Sequence, residues 1–431
     1  MKTLKNHTST LLVLVLAAAL LLSACGIAAT QTATAAVTVA AESAASTAAA
    51  SGTATDKSDS SNAYSEAFSG SDLSGEYDTD GAVTVSLNGS SAAASDESVQ
   101  IDGGSVTITA AGTYILSGTL ESGSIIVNAS KDDKVQLVLN GVTIHTETFA
   151  AIYVVQADKV FVTLADGTEN VLSNGGSYAQ IDDNDVDAVI FSKDDITFNG
   201  EGALLINAPD GSGIVGKDEV TVTAGVYTIT AAKHGIRAKD SLSIADGSFT
   251  ITAGEDGLHA ENNDDESLGN LYIAGGSFDL TVGDDAIHAN TLLQIDGGSI
   301  TVTAAEGLEG TYIQINGGSI YVSASDDGVN AAHKSSVYTP TFEMNDGTLT
   351  IVMGAGDTDG IDSNGNIIIN GGTIDVTAQS SFDYDGTAQY NGGTIIVNGQ
   401  QVNSIPNQMM GGGMGGMGGM GDFGGMGGGR H

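Results

Sequence analysis

The chain has 431 residues and a formal net charge of −40, because 53 acidic side chains stand against 13 lysines and arginines. Binding to nucleic acid depends on basic side chains that neutralise phosphates, so this balance excludes nucleic acid as a natural partner. The single cysteine excludes an intramolecular disulfide, and the excess of carboxylates suits a calcium-rich exterior.

The amino terminus is predicted to be a lipoprotein signal peptide, residues 1–24. Lys2 and Lys5 precede an apolar run, 11–22, and Cys25 follows this run in a lipobox pattern. We expect Cys25 to carry the lipid and to be the only link to the membrane. The protein would then be an extracytoplasmic, membrane-anchored lipoprotein of the cell surface. The alternative is an ordinary signal peptide with an incidental cysteine.

Composition divides the rest of the chain into three parts. Residues 25–62 are rich in Ala, Thr and Ser, which predicts a flexible tether. Residues 63–404 carry the repeats described next and are predicted to form one domain. Residues 405–431 are dominated by Gly and Met, which predicts a disordered tail.

The pattern around His288 is followed by a second copy around Glu309, about 21 residues later. Each copy holds three short runs of alternating apolar and polar residues, separated by Gly, Asp and Asn. We therefore predict an all-β fold, a right-handed parallel β-helix with three strands and about 21–22 residues per turn. Longer repeats place insertions at Asn262–Gly269 and His333–Pro340.

Alignment of the repeats produces columns of residues with the same character. Two apolar columns predict a continuous core. They are Leu242, Leu271, Leu293, Ile313, Phe342 and Ile367, and Phe249, Phe278, Ile300, Ile320, Leu349, Ile374 and Ile395. A third column predicts a ladder of side-chain amides just before a Gly-Gly corner. It consists of Asn316, Asn345, Asn370 and Asn391.

Two further columns carry charge on, and just before, the third strand of each repeat. The turn column is His234, Asp256, Asp285, Glu306, Asp327 and Asp359. The anchor column is Arg237, His259, His288, Glu309, Asn330, Asp362 and Asp383. Stacked repeats lie about 4.8 Å apart. Two carboxylates at that distance repel by about 3.5 kcal/mol near a protein surface, and few lysines or arginines are nearby, so the columns require neutralisation.

A hard divalent cation with oxygen ligands meets this requirement, and calcium is the predicted cofactor. The predicted ligands are Asp256, Asp284, Asp285, Glu306, Glu309, Asp327, Asp359 and Asp362. The alternative is a solvated acidic face that keeps the protein soluble. A second possible calcium site is the acidic run Asp182, Asp183, Asp185 and Asp187, which lacks the glycine and distal glutamate of an EF-hand.

Other side chains are candidates for contact with a ligand or for catalysis. His259, His288 and Asn330 could contact a ligand. The alternative for the histidines, which the outward column favours, is that they are polar surface residues. The sequence has no Gly-x-Ser-x-Gly elbow and no catalytic cysteine. A lyase would need a base beside calcium, and Lys233 and Arg237 are the candidates in the adjoining repeats. Whether the chain is an enzyme stays open.

Several stretches carry a family resemblance. They are 112–120 (Gly-Thr-Tyr-Ile-Leu-Ser-Gly-Thr-Leu), 135–144, 188–202, 306–310 (Glu-Gly-Leu-Glu-Gly), 325–330 and 359–365. Together with the Gly/Met tail, they resemble the bacterial carbohydrate-binding domain-containing β-helix family, whose members bind cellulose and acidic plant polysaccharides. The resemblance implies a pectate-lyase-like β-helix with bound calcium and a binding role without established catalysis. Because the chain has no tryptophan, an aromatic platform would rest on Tyr272 and Tyr321.

The leading functional prediction is a lipid-anchored, calcium-dependent polysaccharide-binding protein. Its ligand would be an acidic, uronate-containing polymer or a cellulosic plant polymer, and ligand carboxylates would complete the coordination of the calcium ion. The first alternative is a pectate-lyase-like polysaccharide lyase. The second is a structural surface protein, an adhesin or spacer without a sugar site.

Overall fold

The structure is a computed structural model that describes residues 66–179, 182, 184–355 and 358–407. Almost all regular structure in these residues is β, and the strands join into one continuous sheet. Among the described residues, no helix is both long enough and apolar enough to span a membrane. The predicted signal peptide, Cys25, the tether and residues 408–431 of the predicted tail lie outside the described residues.

The strands are short and are separated by turns. The first twelve are β1 (Val83–Gly89), β2 (Ala92–Ala94), β3 (Val99–Asp102), β4 (Ser105–Ile108), β5 (Gly112–Leu120), β6 (Ser124–Asn128), β7 (Lys134–Thr146), β8 (Ile152–Gln156), β9 (Lys159–Leu164), β10 (Glu169–Asn174), β11 (Ala188–Ser192) and β12 (Asp195–Asn199). The next twelve are β13 (Ala203–Ala208), β14 (Ser212–Gly216), β15 (Glu219–Val222), β16 (Val226–Ala231), β17 (Ile236–Ala238), β18 (Ser241–Ile244), β19 (Ser248–Ala253), β20 (Leu258–Ala260), β21 (Asn270–Ile273), β22 (Ser277–Val282), β23 (Asp285–Ile295) and β24 (Ser299–Ala304). The last are β25 (Glu306–Ile315), β26 (Ser319–Ala324), β27 (Val329–Ala331), β28 (Thr341–Met344), β29 (Thr348–Met353), β30 (Asp359–Ser363), β31 (Asn366–Ile369), β32 (Thr373–Thr377), β33 (Ser380–Tyr384), β34 (Ala388–Tyr390), β35 (Thr394–Val397) and β36 (Gln400–Val402).

Most strands pair in parallel with the strand three positions later in the chain. This holds from the β10–β13 pair to the β20–β23 pair, and again from β26–β29 to β32–β35. The long strands β23 and β25 each take part in two neighbouring ladders. Pairing at this fixed interval is consistent with the predicted three-strand solenoid.

The two predicted apolar columns are confirmed by the register of these pairs. Leu242 pairs with Leu271, and Phe249 pairs with Phe278. Their side chains are at most 2% exposed, and the Phe249 and Phe278 rings stack with centroids 4.7 Å apart. Full burial of such a side chain stabilises the fold by roughly 1.5–3 kcal/mol, so the columns supply a continuous core.

The ends of the sheet depart from the parallel pattern. β1 pairs antiparallel with β2, β3 with β4, and β35 with β36. Such hairpins cover terminal repeats whose edges would otherwise be open for pairing with another chain. Ile405 packs against the core, and Asn407 Nδ2 donates to the Tyr384 carbonyl at 3.1 Å. The packed region therefore continues past residue 404, where the tail was predicted to begin.

The predicted asparagine ladder is also confirmed. Each amide nitrogen donates to the side-chain oxygen one repeat earlier: Asn345 to Asn316 at 2.8 Å, Asn370 to Asn345 at 2.7 Å, and Asn391 to Asn370 at 2.7 Å. The second glycine of the adjoining corner takes a positive φ, for example 89° at Gly318, which a residue with a Cβ rarely adopts.

An amino-terminal strap, residues 66–76, crosses the outside of the sheet. Its anchor is Asp72, which is 3% exposed. Lys159 Nζ lies 2.7 Å from Asp72 Oδ1, the Thr197 hydroxyl donates to the same oxygen at 2.7 Å, and the Thr223 hydroxyl donates to the Asp72 carbonyl. Burial opposes the charge of Asp72, yet the bond to Lys159 and further hydrogen bonds hold the pKa of this carboxyl below its usual value.

The two predicted insertions are confirmed, and they meet each other. Residues 262–269 separate β20 from β21, and residues 333–340 separate β27 from β28. The Ser335 hydroxyl donates to the Glu266 carbonyl at 2.8 Å, and the Ser336 amide donates to Glu266 Oε2 at 3.0 Å. This clasp fixes the insertion that carries Lys334 next to the anchor column.

Candidate cation-binding columns

The backbone register confirms the alignment of the anchor column throughout and that of the turn column at one pair. In the anchor column, each residue pairs directly with its neighbour in the next repeat. The pairs are Arg237 with His259, His259 with His288, His288 with Glu309, Glu309 with Asn330, Asn330 with Asp362, and Asp362 with Asp383. In the turn column, Asp285 pairs with Glu306. The local cause is alternation: Leu258 and Ala260 face the core, so His259 between them points to the other side of β20.

Much of the amino-terminal part of these columns is buried. His259 and His288 are each 7% exposed, and Asp256, Asp285 and Glu309 are 4–7% exposed. The alternatives of a solvated acidic face and of polar surface histidines are therefore wrong for these residues. Buried charges are stable only when paired or bound to metal, so each of these groups requires a partner.

The histidine end of the columns consists of His234, Asp256, His259 and His288. The rings of His259 and His288 stack with centroids 4.6 Å apart, and the His234 ring lies tilted by 36° against His259, with centroids 4.7 Å apart. Asp256 Oδ2 lies 2.5 Å from His259 Nδ1 and 3.3 Å from His234 Nδ1. Burial raises the pKa of Asp256, but the contacts with the two imidazoles outweigh it and bring that pKa below its usual range.

Asp285 and Glu309 connect this end to the remainder of the columns. His288 Nδ1 lies 2.8 Å from Asp285 Oδ2 and 2.6 Å from Glu309 Oε2, and Lys334 Nζ lies 2.7 Å from Glu309 Oε1. Burial opposes the charge of His288, yet hydrogen bonds to both carboxylates raise its pKa to about 10. Burial and the proximity of Glu309 raise the pKa of Asp285, whereas His288 and Lys334 lower that of Glu309 against the effect of burial.

Lys334 is the functional residue that sequence reasoning missed. The expectation that few lysines are near the columns is wrong for Glu309, because the insertion brings Lys334 onto it. No periodic signal marks this contact, since Lys334 lies outside the repeat.

The oxygen end consists of Glu306, Asp327, Asn330, Asp359 and Asp362. Asn330 Nδ2 donates to Glu306 Oε2 at 2.9 Å and lies 3.4 Å from Glu309 Oε1. Burial and neighbouring carboxylates raise the pKa of Asp327 to about 7 and that of Asp362 to about 6. Burial also raises the pKa of Glu306. In the described part of the chain, no lysine or arginine forms an ion pair with Asp327 or Asp362.

Three groups of possible metal ligands emerge within the described residues, each with ligand atoms within 4.8 Å of one another. They are His234–Asp256–His259, Asp256–Asp285–His288, and Asp285–Glu306–Glu309. The third group offers only oxygen, which fits calcium, because two oxygens bound at about 2.4 Å lie at most about 5 Å apart. The first two groups include imidazole nitrogen, which calcium does not favour.

The remaining predicted calcium ligands lie near these groups or outside them. Asp327, Asp359 and Asp362 stand further along the same columns, and Asp327 Oδ1 accepts the Asp359 amide at 3.1 Å. Asp284 is exposed, and none of the three groups includes it. Four of the eight predicted ligands therefore come together in groups of three: Asp256, Asp285, Glu306 and Glu309.

Among the described residues, the side chains of the second predicted calcium site do not form a group of possible metal ligands. Asp182 accepts hydrogen bonds from the Tyr153 hydroxyl and from the Asn184 amide, the latter at 2.9 Å. Asp187 lies 3.2 Å from Lys233 Nζ. Asp185 also has a partner, and Asp183 lies outside the described residues.

The predicted tyrosine platform is wrong. Tyr272 is 9% exposed, its hydroxyl donates to Asp296 at 2.8 Å, and the ring of Phe68 from the strap lies 5.9 Å away. Tyr321 is 42% exposed but lies on β26, in a different ladder from β21. The strap thus covers one candidate, and the two rings do not share a surface.

The two predicted lyase bases do not stand together beside the oxygen end. Lys233 pairs with Asp187, and Arg237 Nη2 lies 3.8 Å from Glu261 Oε2. Arg237 instead borders a cavity of about 190 Å³ together with Lys217 and Lys239. The spacing of about one repeat between Lys217 and Lys239 was a signal for this basic group that the sequence analysis did not use.

Comparison with known proteins identifies the family. A model of the family described as carbohydrate-binding domain-containing protein matches residues 102–357 and 308–404, together more than half of the chain. A protein of the same description from Acetivibrio thermocellus is 41% identical over 128 residues, which span 29% of this chain and 45% of that protein. The chain thus covers less than half of this relative's length. A solved structure, described as the gadolinium derivative of the polysaccharide lyase-like protein from C. thermocellum, shares 32% identity with a TM-score of 0.48, over 56% of this chain and 94% of that one. This chain belongs to the carbohydrate-binding domain-containing protein family.

Proposed function

We propose that the chain is a right-handed parallel β-helix, with three strands and about 21–22 residues per turn, that binds an acidic polysaccharide through calcium. Family membership supports carbohydrate binding. Parallel pairing of each strand with the strand three positions later supports the β-helix.

The carboxylates of Asp285, Glu306 and Asp327 are the proposed centre of calcium binding. The observation that carries the assignment of Asp285 and Glu306 is the all-oxygen group that they form with Glu309, whose ligand atoms lie within 4.8 Å of one another. Asp327 is added because it follows Glu306 in the turn column and because, besides burial, Glu306 contributes to its raised pKa. Asp285, Glu306 and Asp327 all have raised pKa values, which indicates that the protein's own cations do not fully compensate them. A calcium ion would supply that charge and hold these oxygens in place.

The proposed ligand is a polymer of uronate residues. Calcium takes six to eight oxygens, so three or four protein carboxylates leave positions that a ligand carboxylate can fill. A chain with a net charge of −40 repels an anionic polymer unless a cation lies between them. A neutral cellulosic polymer is less favoured, because the exposed tyrosines of the described part, Tyr321 and Tyr338, do not lie on one strand ladder.

Cys25 is the proposed lipid attachment site, and the protein is proposed to work on the outer side of the membrane. The support is the lipobox pattern and the apolar run that precedes it. Metabolic labelling with an alkyne fatty acid should mark the wild-type protein and not a Cys25→Ser variant. Equal labelling of both would contradict the anchor.

Affinity electrophoresis through gels containing polygalacturonate tests the proposed function. Retardation should occur with calcium and disappear with chelator. It should also disappear in an Asp285→Asn/Asp327→Asn variant and persist in the matched control Asp279→Asn, whose exposed carboxylate lies on the second strand of its repeat. Equal retardation with calcium and with chelator would contradict the calcium bridge.

The same preparations separate the alternatives. Retardation only in gels of neutral glucan would indicate a cellulosic ligand. A rise in the absorbance of unsaturated uronides would indicate a lyase. If no glycan retards the protein and the protein still mediates cell attachment, it is a spacer or adhesin.

A further inference from the structure

We propose that His234, Asp256 and His259 form a binding site for a zinc-class divalent metal ion, separate from the calcium-binding oxygens. Their ligand atoms lie within 4.8 Å of one another. Two imidazoles and one carboxylate form a donor set that suits zinc and its neighbours among the transition metals, whereas calcium favours oxygen.

The distances among these three side chains fit a small tetrahedral ion. Ligands bound to zinc at about 2.0–2.1 Å lie about 3.3 Å apart in a tetrahedron. His234 Nδ1 and Asp256 Oδ2 are 3.3 Å apart. His259 Nδ1 lies 2.5 Å from the same oxygen, so this pair must separate by less than about 1 Å to admit the ion.

The second observation is that a carboxylate lies near the Nε2 atom of each of the two imidazoles. His234 Nε2 lies 3.1 Å from Glu255 Oε2, and His259 Nε2 lies 3.4 Å from Glu261 Oε2. Metal-bound histidines usually direct the other ring nitrogen at a carboxylate, which fixes the ring and the tautomer. The other oxygen of Asp256, Oδ1, accepts the Asp285 amide at 3.0 Å, which leaves Oδ2 directed at the imidazoles.

His234 supplies a third observation. Its Nδ1 atom is buried and makes no well-aligned hydrogen bond within the described part of the chain, although Asp256 Oδ2 lies 3.3 Å away. A buried ring nitrogen without a hydrogen bond is costly, and a metal ion at this position would satisfy it. Three protein ligands leave a fourth position for water or for a hydroxyl of a bound ligand.

Zinc titration of the full chain, prepared without an affinity tag and freed of metal by dialysis, tests the proposal. One zinc ion should bind, and excess calcium should not displace it. His234→Ala and His259→Ala should each weaken zinc binding by at least 100-fold. His145→Ala is the matched control, because His145 also contacts a carboxylate, Glu147 at 3.4 Å, but lies outside the columns. Cobalt(II) should give the intense visible absorption of a tetrahedral site in the wild type and in the His145→Ala variant, but not in His234→Ala or His259→Ala.

Glu255→Gln keeps the test decisive if a histidine variant fails to fold. Glu255 contacts Nε2 of His234, the ring nitrogen that would not bind the metal. Its side chain is 47% exposed, so its replacement leaves the core intact. We expect a 10–100-fold loss of zinc affinity, the usual cost of removing such a partner. Zinc affinity that is equal in the wild type and in Glu255→Gln would place the ion elsewhere in the molecule and overturn the proposal. Absence of zinc binding from the wild type would also overturn it, and His234, Asp256 and His259 would then be a metal-free cluster.

The calcium proposal is tested independently in the same series. The Asp285→Asn/Asp327→Asn variant should lose its response to calcium and keep zinc binding. His234→Ala should show the reverse. If only the calcium response fails to appear as expected, the calcium assignment is wrong. If only zinc binding fails to appear as expected, the zinc assignment is wrong.

Discussion

The histidine end and the oxygen end differ in how their charges are compensated, although the same strand ladders build both. Asp256 lies against two imidazoles, and Glu309 contacts both His288 and Lys334. Asp327 and Asp362, further along the same ladders, have no lysine or arginine partner in the described residues, and their pKa values are raised. Regular backbone pairing therefore fixes where the side chains stand, whereas the residue type in each repeat decides whether the protein neutralises its own charge.

This difference has an energetic meaning. Neighbouring carboxylates at a spacing of about 4.8 Å repel by about 3.5 kcal/mol at the effective dielectric of a protein surface. Around Glu309, the cations of His288 and Lys334 turn that repulsion into attraction. At the oxygen end it persists until a proton or a metal ion arrives, so matched substitutions at the two ends should have opposite effects on stability.

The largest effect is expected for Glu309→Gln. Glu309 is 4% exposed, and its removal leaves Lys334 without its carboxylate partner and leaves Asp285 as the carboxylate that still contacts His288. Breaking a buried ion pair in this way should lower the free energy of unfolding by roughly 3 kcal/mol, measured by urea unfolding in chelator. Asp362→Asn is the matched substitution at the oxygen end and should raise the free energy of unfolding in chelator. Destabilisation by both variants would remove the distinction between the ends.

The next effect concerns calcium. If calcium binds only the native state, a hundredfold excess over its Kd should stabilise the wild type by about 2.7 kcal/mol. Asp285→Asn/Asp327→Asn should abolish most of the accompanying rise in Tm, because it removes two of the proposed ligands. Asp279→Asn should retain the full rise. A wild-type Tm that does not respond to calcium would show that the oxygen end remains without calcium.

A smaller effect is expected from pH. The raised pKa values of Asp327, about 7, and Asp362, about 6, mean that the native state keeps protons that the unfolded chain releases above pH 4. Stability in chelator should therefore fall as pH rises from about 4 to about 7, by about 1 kcal/mol after allowance for solvent screening. The lowered pKa of Glu309 changes stability mainly below this pH range, so it does not offset the fall in stability. Urea unfolding from pH 5 to 8 measures this fall in stability. Asp327→Asn/Asp362→Asn should make the fall shallower without abolishing it, because the raised pKa values of Asp285, about 8, and His288, about 10, also let the native state keep protons that the unfolded chain releases as pH rises. A wild-type profile that rises with pH would contradict the assignment.

The smallest effect is expected for Asn330→Asp, which adds a carboxylate between Glu306 and Glu309. In chelator it should lower stability by about 1 kcal/mol through like-charge repulsion. With calcium it should bind the ion more tightly, because it replaces an amide by an anionic ligand. Asn88→Asp, an exposed substitution on β1 with the same change in net charge, should alter neither stability nor calcium affinity. Calorimetric titration with calcium provides the comparison, and weaker binding by Asn330→Asp would place the ion elsewhere.

The sequence was informative wherever contacts recur at a fixed interval. The columns of Leu242 and Phe249, the asparagine ladder and the alignment of His288 with Glu309 are repeat-to-repeat contacts, and each is readable as a spacing. The two insertions were predictable for the same reason, because they lengthen the interval without disturbing the flanking strands.

Contacts outside the repeat could not be predicted in this way. Lys334 reaches Glu309 from an insertion, and Phe68 covers Tyr272 from the strap. The terminal hairpin that pairs Ile395 with Val402 is a local antiparallel feature that the parallel repeats do not contain, so the repeat spacing does not reveal it. The burial of His259 and His288 was missed because alternation shows which side of a strand a residue faces, and not what packs over that side.

The strap has a mechanical consequence. A force applied at the amino terminus of the folded region meets Asp72 before it reaches β1, and Asp72 is held at once by Lys159, Thr197 and Thr223. These partners belong to successive repeats that begin at β9, well inside the stack. The load is thereby shared among several bonds that must break together, and the terminal hairpin is not the first element to be peeled from the sheet.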